Sequence, residues 1–276
     1  MTHSCPDVRV NVLGVGISPV SLREASERVV ALATSHRGGY VCVTGVHGVM
    51  ESHDDDALRA VHNHADLVVP DGMPMVWLSK LRGHPDVTRV YGPDLMLEVA
   101  RRTAGSEVTH FLYGGAPGVA EKLAARLVAR FPGLTIAGSY CPPFRALTDE
   151  ETTAIVGAID ASAATIVWVG LSTPKQERWM HEFAPRLPGR VLLGVGAAFD
   201  FHAGLKPQAP SWMQRSGLEW LFRLITEPRR LWRRYLRNNP RFIGLTLLQL
   251  TGLRPYAFDT AFSAGTDASV PESPTT

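Results

Sequence analysis

The sequence predicts an α/β protein with a Rossmann-like, largely parallel sheet that has helices on both faces. Between residues 8 and 195, short apolar runs typical of buried strands alternate with runs typical of helices. No segment repeats at a fixed period. From Pro207 the strands stop, and Arg- and aromatic-rich helical patterns follow. We therefore divide the chain into a Rossmann-like domain (1–206), a basic amphipathic helical appendage (207–253) and a tail (254–276) expected to be disordered.

Seven strands are predicted, beginning with residues 8–15, where apolar residues alternate. The strand at 67–70 is stopped by Pro70-Asp71-Gly72, because Pro lacks an N–H group and Gly permits turn geometry. The others are the apolar runs 40–44, 109–113, 134–140, 165–169 and 191–195.

Helices are predicted between these strands. Ser21 precedes Glu24 by three residues, the spacing of a capping box. Near residue 174, Ser172 or Thr173 is expected to cap a helix, with Glu177 completing a second capping box. The predicted helices are 21–35, 48–64, 73–81, 94–102, 119–131, one starting at 148, and 174–183.

Composition narrows the class of protein. A chain of 276 residues with 45% hydrophobic residues can bury the core of one large α/β domain with an appendage. Cys5, Cys42 and Cys141 are far apart, which argues against a disulfide framework or zinc knuckle and suits a reducing compartment. Because residues 1–9 are polar and no run reaches the roughly 20 apolar residues of a spanning helix, we expect the protein on the cytoplasmic side.

The charge is unevenly distributed. Residues 223–241 hold seven arginines and one acid, Glu227, which gives this segment +6 and leaves about −4 for the rest of the +2 chain. A mildly acidic body with a basic end indicates that only the end binds an anionic surface.

Asp71 follows a predicted buried strand and precedes a predicted helix. In open α/β sheets this carboxyl edge is where ligands bind. The carboxylate therefore either caps the helix at 73–81 or takes part in chemistry, and position alone favours the cap.

Other strand ends carry further candidate site residues. Gly114 and Gly115 open a small-residue turn that either lets a phosphate approach free backbone N–H groups or is an ordinary tight turn. The spacing is not GxGxxG, which argues against a nicotinamide enzyme. Lys175 and Gln176 lie at the same predicted edge without a structural explanation, and Asp200, among aromatic residues, needs a partner or a task.

Two polar clusters have simpler interpretations. Asp54-Asp55-Asp56 contains the D-x-D pattern of many sugar transferases, but a solvated helix face or an N-terminal charge is the favoured interpretation. His53, His62 and His64 are predicted to be surface residues, because no His and carboxylate set has the spacing of a zinc site. We therefore predict no metal site.

The appendage interleaves arginines with large apolar groups. Trp232, Tyr235 and Leu236 are predicted to share one helical face, with arginines beside it. This pattern favours a helix in the headgroup layer of an anionic membrane, and the apolar run 242–253 supports it. Nucleic-acid binding and a domain-packing helix with a basic outer face remain the alternatives. Apolar helices could also drive homo-oligomer formation away from the membrane.

Six stretches, taken together, resemble the WecG/TagA/CpsF family of bacterial glycosyltransferases (glycosyltransferase family 26). They occur in the family's order within residues 8–246. They are residues 65–72, 89–95, 112–115, 170–177, 196–204 and 209–221.

This resemblance implies an inverting, metal-independent transferase with no cofactor. Such an enzyme moves a hexose or N-acetylhexosamine-type sugar from a UDP-sugar to a polyprenyl-diphosphate-linked sugar in cell-surface polysaccharide or glycopolymer synthesis. It docks on the inner face of the cell membrane, and no nucleic acid is expected as a partner. A non-catalytic, membrane-associated nucleotide-sugar-binding protein remains the alternative.

The resemblance also assigns roles to residues. It implies that Asp71 is the general base, that Thr44 belongs to the catalytic site, and that Arg89 and Gln176 contact substrate. The appendage would supply arginines from the cluster 229–237 to the active site; the candidates are Arg230, Arg233 and Arg237.

The chain departs from the family pattern at a few positions. Val46 stands where the family often has Asn, Thr88 where it often has an acid, and Gln208 where it often has a basic residue. Since the aspartate and glutamine positions match, we expect differences from the family to concern sugar recognition more than chemistry.

Overall fold

The main sheet is preceded by a short hairpin. The computed structural model describes residues 8–257. Its first strands, β1 (Val10–Val12) and β2 (Val15–Ile17), pair antiparallel in a sheet of their own. A single strand at 8–15 was therefore the wrong prediction. The chain reverses at Leu13 and Gly14, both with positive φ, and Asn11 Oδ1 accepts a hydrogen bond from the Gly14 amide (2.8 Å).

The main sheet has six strands, all parallel, which confirms the predicted fold class. Its order is β4-β3-β8-β7-β5-β6. The strands are β3 (Gly39–Thr44), β4 (Leu67–Pro70), β5 (Thr109–Gly114), β6 (Thr135–Tyr140), β7 (Ile166–Gly170) and β8 (Val191–Gly194).

Helices connect the strands and then form the appendage. In the body they are α1 (Leu22–Thr34), α2 (Val46–Asp54), α3 (Asp56–His64), α4 (Met73–Leu81), α5 (Gly92–Thr103), α6 (Val119–Arg130), α7 (Asp149–Ala161), α8 (Lys175–Phe183) and α9 (Ala198–His202). The appendage contains α10 (Ser211–Arg215), α11 (Glu219–Thr226) and α12 (Pro228–Leu250).

Two hydrophobic cores lie on opposite faces of the sheet. Successive strand side chains point to opposite faces, so Cys42 and Leu192 join one core and Val41 and Leu193 join the other. The first core includes residues of the hairpin, α2, α3, α7 and α8, and the second includes residues of α1, α5, α6 and α9. The strands are apolar on both sides because both faces are covered.

Side-chain caps begin α1, α3 and α7. The predicted capping box at Ser21 is confirmed: its Oγ accepts from the Glu24 amide (3.2 Å), and Glu24 Oε2 accepts from the Ser21 amide (2.8 Å). The cap predicted for α8 is wrong. Its N-cap residue is Pro174, and Thr173 Oγ1 instead donates to the Glu177 carboxylate (2.9 Å), which is buried.

The predicted helix 48–64 is two helices. Asp55 interrupts the pattern, and its carboxylate caps α3 by accepting from the Leu58 amide (2.9 Å). The interpretation of the Asp cluster as an N-terminal charge is therefore confirmed. The prediction that His62 is a surface residue is wrong, since its ring is buried beside Ser52 Oγ (3.0 Å) and the Leu58 carbonyl.

The last helix of the appendage packs on the body. Leu231 and Phe242 of α12 are buried, and Gln249 Nε2 donates to the Asn11 carbonyl (3.1 Å). Arg237 and Arg241 both contact the Asp54 carboxylate. Within residues 8–257, no helix combines the length and apolar character needed to cross a bilayer. The tail predicted to be disordered is 254–276. Of these residues the structure describes 254–257, where the Tyr256 carbonyl accepts a hydrogen bond from Asn11 Nδ2 (2.8 Å), and residues 258–276 lie outside the described part.

Candidate active site

A large cleft follows the carboxyl edge of the sheet. The loops after all six strands of the main sheet line it, and α10, α11 and α12 form part of its wall. Its volume is about 1590 Å³. Because pockets that bind one drug-sized ligand measure roughly 300–1,000 Å³, this cleft has room for two substrates at once.

Asp71 stands at the edge of this cleft with its carboxylate free of the following helix. The N-cap residue of α4 is Gly72, with φ of 90°, and within the described chain no side chain caps this helix. The N-cap interpretation of Asp71 is therefore wrong. The Asp71 amide donates to the Thr44 carbonyl (2.9 Å), which fixes the residue to the end of the neighbouring strand.

The surroundings of Asp71 make it more basic than an ordinary carboxyl group. The side chain is 31% exposed toward the cleft, but protein surrounds it on the other sides. Burial raises its pKa to about 6, Glu219 acts in the same direction, and Arg89 partly opposes the shift. Near neutral pH the group is ionised and still able to accept a proton, which suits a general base.

Arg89 lies beside Asp71 but is held by the appendage. Its Nη1 donates to Gln214 Oε1 (3.0 Å), its Nη2 donates to Glu219, and its guanidinium lies 4.0 Å from the Tyr91 ring centroid. Its Nε is 3.8 Å from Asp71 Oδ1. Arg89 thus places a positive charge beside Asp71 while its Nη1 and Nη2 already bind the appendage, and its contact with substrate stays a prediction.

Gln176 points toward the end of β8. Its Nε2 donates to Glu177 (3.0 Å), and its Oε1 is buried without a hydrogen-bond partner among residues 8–257. A Cβ built on Gly196 would lie 3.4 Å from that Oε1. Because an unsatisfied buried acceptor is costly, this amide oxygen is suited to receive a ligand donor.

Thr44 is not on the cleft surface. It is 2% exposed and absent from the cleft lining, and its Oγ1 has no partner in the described chain. The predicted direct catalytic role is not supported by this placement. Its carbonyl does hold the backbone of Asp71, so its contribution here is to position that residue.

Gly114 and Gly115 lie far from Asp71. Gly114 ends β5 and Gly115 follows it, four strands from β4, which at about 4.8 Å per strand is roughly 19 Å. Gly115 still lines the cleft, at a part distant from Asp71. The Gly115 amide donates to the Gly170 carbonyl (3.1 Å), so it is not one of the free N–H groups on which a phosphate site there would depend. A Cβ on Gly114 would lie 2.7 Å from Gly170, which explains this glycine by packing.

Lys175 and Asp200 both line the cleft. Lys175 is exposed on the first turn of α8. The partner that Asp200 needs is Lys206, whose Nζ lies 2.8 Å from its carboxylate and 3.7 Å from Glu227. Of these two, only Lys175 has a charge available to a ligand.

The appendage supplies cations to the cleft, but only one is among those predicted. Arg230 lines the cleft, whereas the placement of Arg233 and Arg237 there is wrong. Arg233 lies over the Trp232 ring (5.3 Å), and Arg237 contacts Asp54 (3.2 Å).

Two further arginines line the cleft: Arg223, which was not predicted, and Arg234, which belongs to the predicted cluster 229–237 but was not singled out. Arg223 has a buried Nε without a partner in the described residues. The buried face of α12 is formed by Leu231, Asn238 and Phe242, and Arg234 lies beside it. Recognising this face in the sequence would have pointed to Arg234. The face predicted from Trp232, Tyr235 and Leu236 mixes two environments, since the Tyr235 ring is half-buried at the cleft and the other two are exposed.

His47 was not predicted as a site residue and connects three elements around the cleft. Its ring lies 3.3 Å from Asn238 Nδ2 on α12 and 3.4 Å from Glu51, and it hydrogen-bonds the backbone at Thr173. Burial lowers its pKa to about 4, so the ring is neutral at physiological pH. Val46, next to it, also lines the cleft.

No group of three or more His, Cys, Asp or Glu side chains is arranged to hold a metal ion in the part of the chain that the structure describes. Cys42 and Cys141, the two cysteines in that part, are both free.

Comparison with known proteins identifies related sequences. The model of the glycosyl transferase WecG/TagA/CpsF family matches residues 10–255. The chain is similar to the N-acetylglucosaminyldiphosphoundecaprenol N-acetyl-beta-D-mannosaminyltransferase of Bacillus spizizenii, with 32% identity over 215 residues, covering 77% of this chain and 80% of the relative. It is also similar to the protein of the same name from Bacillus subtilis, with 31% identity over 189 residues, covering 68% and 71% of the two chains.

Proposed function

The chain belongs to the WecG/TagA/CpsF family of glycosyltransferases, and on this premise we propose that it transfers an N-acetylhexosamine from a UDP-sugar to a polyprenyl-diphosphate-linked sugar. The names of its relatives favour N-acetylmannosamine as the transferred sugar and polyprenyl-diphosphate-linked N-acetylglucosamine as the acceptor. The observation that supports a catalytic role is the Asp71 carboxylate, which lies at the cleft, does not cap a helix and has a pKa of about 6.

The proposed reaction is a single displacement. The acceptor hydroxyl oxygen forms a bond to the anomeric carbon, and its proton passes to the Asp71 carboxylate. The bond between that carbon and the phosphate oxygen breaks, and UDP leaves with the electron pair. Attack opposite to the leaving group inverts the anomeric centre. A hydroxyl is a poor nucleophile until its proton is removed in the transition state, and this is what a positioned carboxylate provides.

Cations in the cleft would stabilise the departing diphosphate. Arg223, Arg230 and Arg234 line the same cleft as Asp71, and Lys175 lies on its wall. Preorganised positive charge in a site that excludes water stabilises developing negative charge more strongly than it would in bulk water. We assign the diphosphate to these residues and not to the Gly114–Gly115 turn.

The appendage is also the proposed membrane contact. Trp232, Leu236, Ile243 and Leu247 are exposed and recur on one side of α12, with Arg229 and Arg233 beside them. An apolar stripe bordered by arginines suits a helix lying among anionic headgroups. This arrangement would place the cleft at the inner face of the cell membrane, where a polyprenyl-linked acceptor resides.

A non-catalytic protein that binds nucleotide-sugars remains the second candidate, because Val46 replaces the usual family Asn in the cleft. Catalysis is favoured over binding alone because Asp71 does not cap a helix and its carboxylate has a raised pKa.

Release of UDP from a panel of UDP-sugars distinguishes the two candidates. The panel includes UDP-N-acetylmannosamine, each sugar being tested with and without a polyprenyl-diphosphate-N-acetylglucosamine analogue. We expect release that requires the acceptor and is fastest with that donor. UDP binding without acceptor-dependent release from any donor would favour the non-catalytic candidate.

A further inference from the structure

We propose that Glu219, on the first turn of α11, is a positioning residue that holds Arg89 away from Asp71 and so keeps Asp71 available as a proton acceptor. This proposal rests on the proposed function, because it concerns how the appendage sets the state of the base.

The contacts of Arg89 are divided between the appendage and the body. Its Nη2 donates to Glu219 Oε2, and its Nη1 donates to Gln214 Oε1 (3.0 Å). Its Nε lies 3.8 Å from Asp71 Oδ1, beyond hydrogen-bond distance. The two terminal donors thus bind appendage residues, and Asp71 receives only a distant charge.

Burial makes this division important. The side chains of Arg89 and Glu219 are 13% and 15% exposed. A guanidinium does not lose its proton in a protein, and a buried charge without a partner is strongly unfavourable. If Glu219 were absent, Arg89 would need another anion, and Asp71 is the carboxylate already within 4 Å of it.

A direct pair with Arg89 would weaken Asp71 as a base. A carboxylate hydrogen-bonded to a guanidinium has its ionised form stabilised, which typically lowers its pKa by about 1–3 units. A weaker base accepts the hydroxyl proton less readily in the transition state. Glu219 thereby preserves the raised pKa of Asp71 through the position of Arg89.

Four charged groups on the surrounding elements face Asp71. Arg89, before α5, and Arg223, on α11, favour its ionised form, whereas Glu219, on α11, and Asp94, on α5, disfavour it. Glu219 is the one that also binds Arg89 directly. The appendage therefore contributes both a cation and an anion to the environment of the base.

The opposite possibility is that Glu219 occupies the place of a substrate phosphate on Arg89 and inhibits the enzyme. The two possibilities differ in sign. If Glu219 inhibits, its removal raises activity at every pH. If it positions Arg89, its removal lowers activity at neutral pH and moves the acid limb of the pH profile.

The experiment titrates the Asp71 carboxyl carbon by NMR in full-length protein labelled with ¹³C-aspartate, the resonance being assigned with Asp71→Asn. The proteins compared are wild type, Glu219→Gln, Glu219→Ala and Glu219→Asp. The matched control is Glu98→Gln, which removes an acid of α5 that pairs with Arg101 and Arg102 and does not line the cleft. This readout needs no turnover, so it remains informative if the proposed function fails.

We expect the pKa of Asp71 to fall by about one unit or more in Glu219→Ala, by less in Glu219→Gln, which keeps an acceptor for Arg89, and to be largely restored in Glu219→Asp. The acid limb of kcat/KM should move by the same amounts, and Glu98→Gln should match wild type. Equal shifts of the Asp71 pKa in Glu219→Ala and Glu219→Gln would contradict the proposal, because Glu219 would then act on Asp71 only through its charge and not by positioning Arg89. No shift in any variant that folds, or a rise in activity at all pH values, would overturn the proposal.

Discussion

The Nε of Arg89 lies 3.8 Å from Oδ1 of Asp71, near enough for attraction and too far for a hydrogen bond. This separation leaves a carboxylate that is partly surrounded by protein, close to a cation and still free to accept a proton. The pKa near 6 of Asp71 follows from this balance. It also gives the cleft a pH dependence that can be measured.

The first prediction concerns pH. Only ionised Asp71 accepts a proton, so kcat/KM should rise tenfold per pH unit below about 6 and level off above it. His47 does not produce this limb, because its lowered pKa of about 4 leaves the ring mostly neutral above pH 4.5. Initial rates between pH 4.5 and 9 test this. A kcat/KM that stays nearly level from pH 7 down to pH 4.5, as for a carboxyl group with the ordinary pKa near 4, would contradict it.

The second prediction separates the arginines that line the cleft from those that do not. Arg234→Ala should weaken UDP binding by about tenfold to a hundredfold, because hydrogen bonds to charged groups contribute roughly 1.5–3 kcal/mol. Arg237→Ala is the control, since its exposed ion pair with Asp54 contributes about 0–1 kcal/mol to stability and does not face the cleft. Calorimetric titration with UDP measures both. Equal losses in the two variants would mean that α12 is oriented differently.

The third prediction tests the support of Asp71. A Cβ on Gly45 would lie 2.7 Å from the Asp71 carbonyl oxygen, so Gly45→Ala should displace the backbone that carries the base. Displacements of about 1 Å can cost a hundredfold in rate, and we expect kcat to fall by about ten- to a hundredfold. Gly157→Ala on α7 is the control, because a Cβ there meets no atom within 4 Å. The rates should be compared in variants shown by circular dichroism to be folded; a Gly45→Ala enzyme as fast as the control would refute this link.

The fourth prediction concerns the membrane. Replacing both Trp232 and Leu236 with Ser should abolish flotation with anionic liposomes while leaving the affinity for UDP unchanged, because the two side chains are exposed on α12 away from the cleft. Val128→Ser, which removes an exposed apolar side chain from α6, is the matched control and should float like wild type. Flotation of the double variant at the wild-type level would exclude this surface as the membrane contact.

Most of the sheet could be predicted from sequence because its strands are short apolar runs bounded by breaking residues. Leu67–Pro70 and α4 (Met73–Leu81) have the predicted bounds. The errors occurred where a local polar interaction competes with the pattern. Asp55 caps a new helix inside an apparently continuous one, and Gly14 reverses the chain inside an apparently continuous strand.

The site was harder to predict because it depends on which face of each appendage helix meets the body. The position of Asp71 at a strand end predicted the location of the cleft. Only the structure shows that Asp71 does not cap α4. A basic cluster in sequence does not reveal which of its arginines reach the cleft and which contact other residues, so Arg234 was not singled out and Arg237, which contacts Asp54, was wrongly included. The hydrogen bond from Arg89 to Glu219 joins residues 130 positions apart, and no pattern in the sequence predicts it.

The role of Asp71 as the general base is tested by measuring acceptor-dependent UDP release by Asp71→Asn. The substitution keeps the size of the side chain and removes its basicity, so the fold and UDP binding should be retained while turnover falls by roughly two to four orders of magnitude. Asp86→Asn, at an exposed position outside the cleft, should match wild type. Turnover by Asp71→Asn within a few-fold of wild type would contradict the account, because the proton would then have another acceptor.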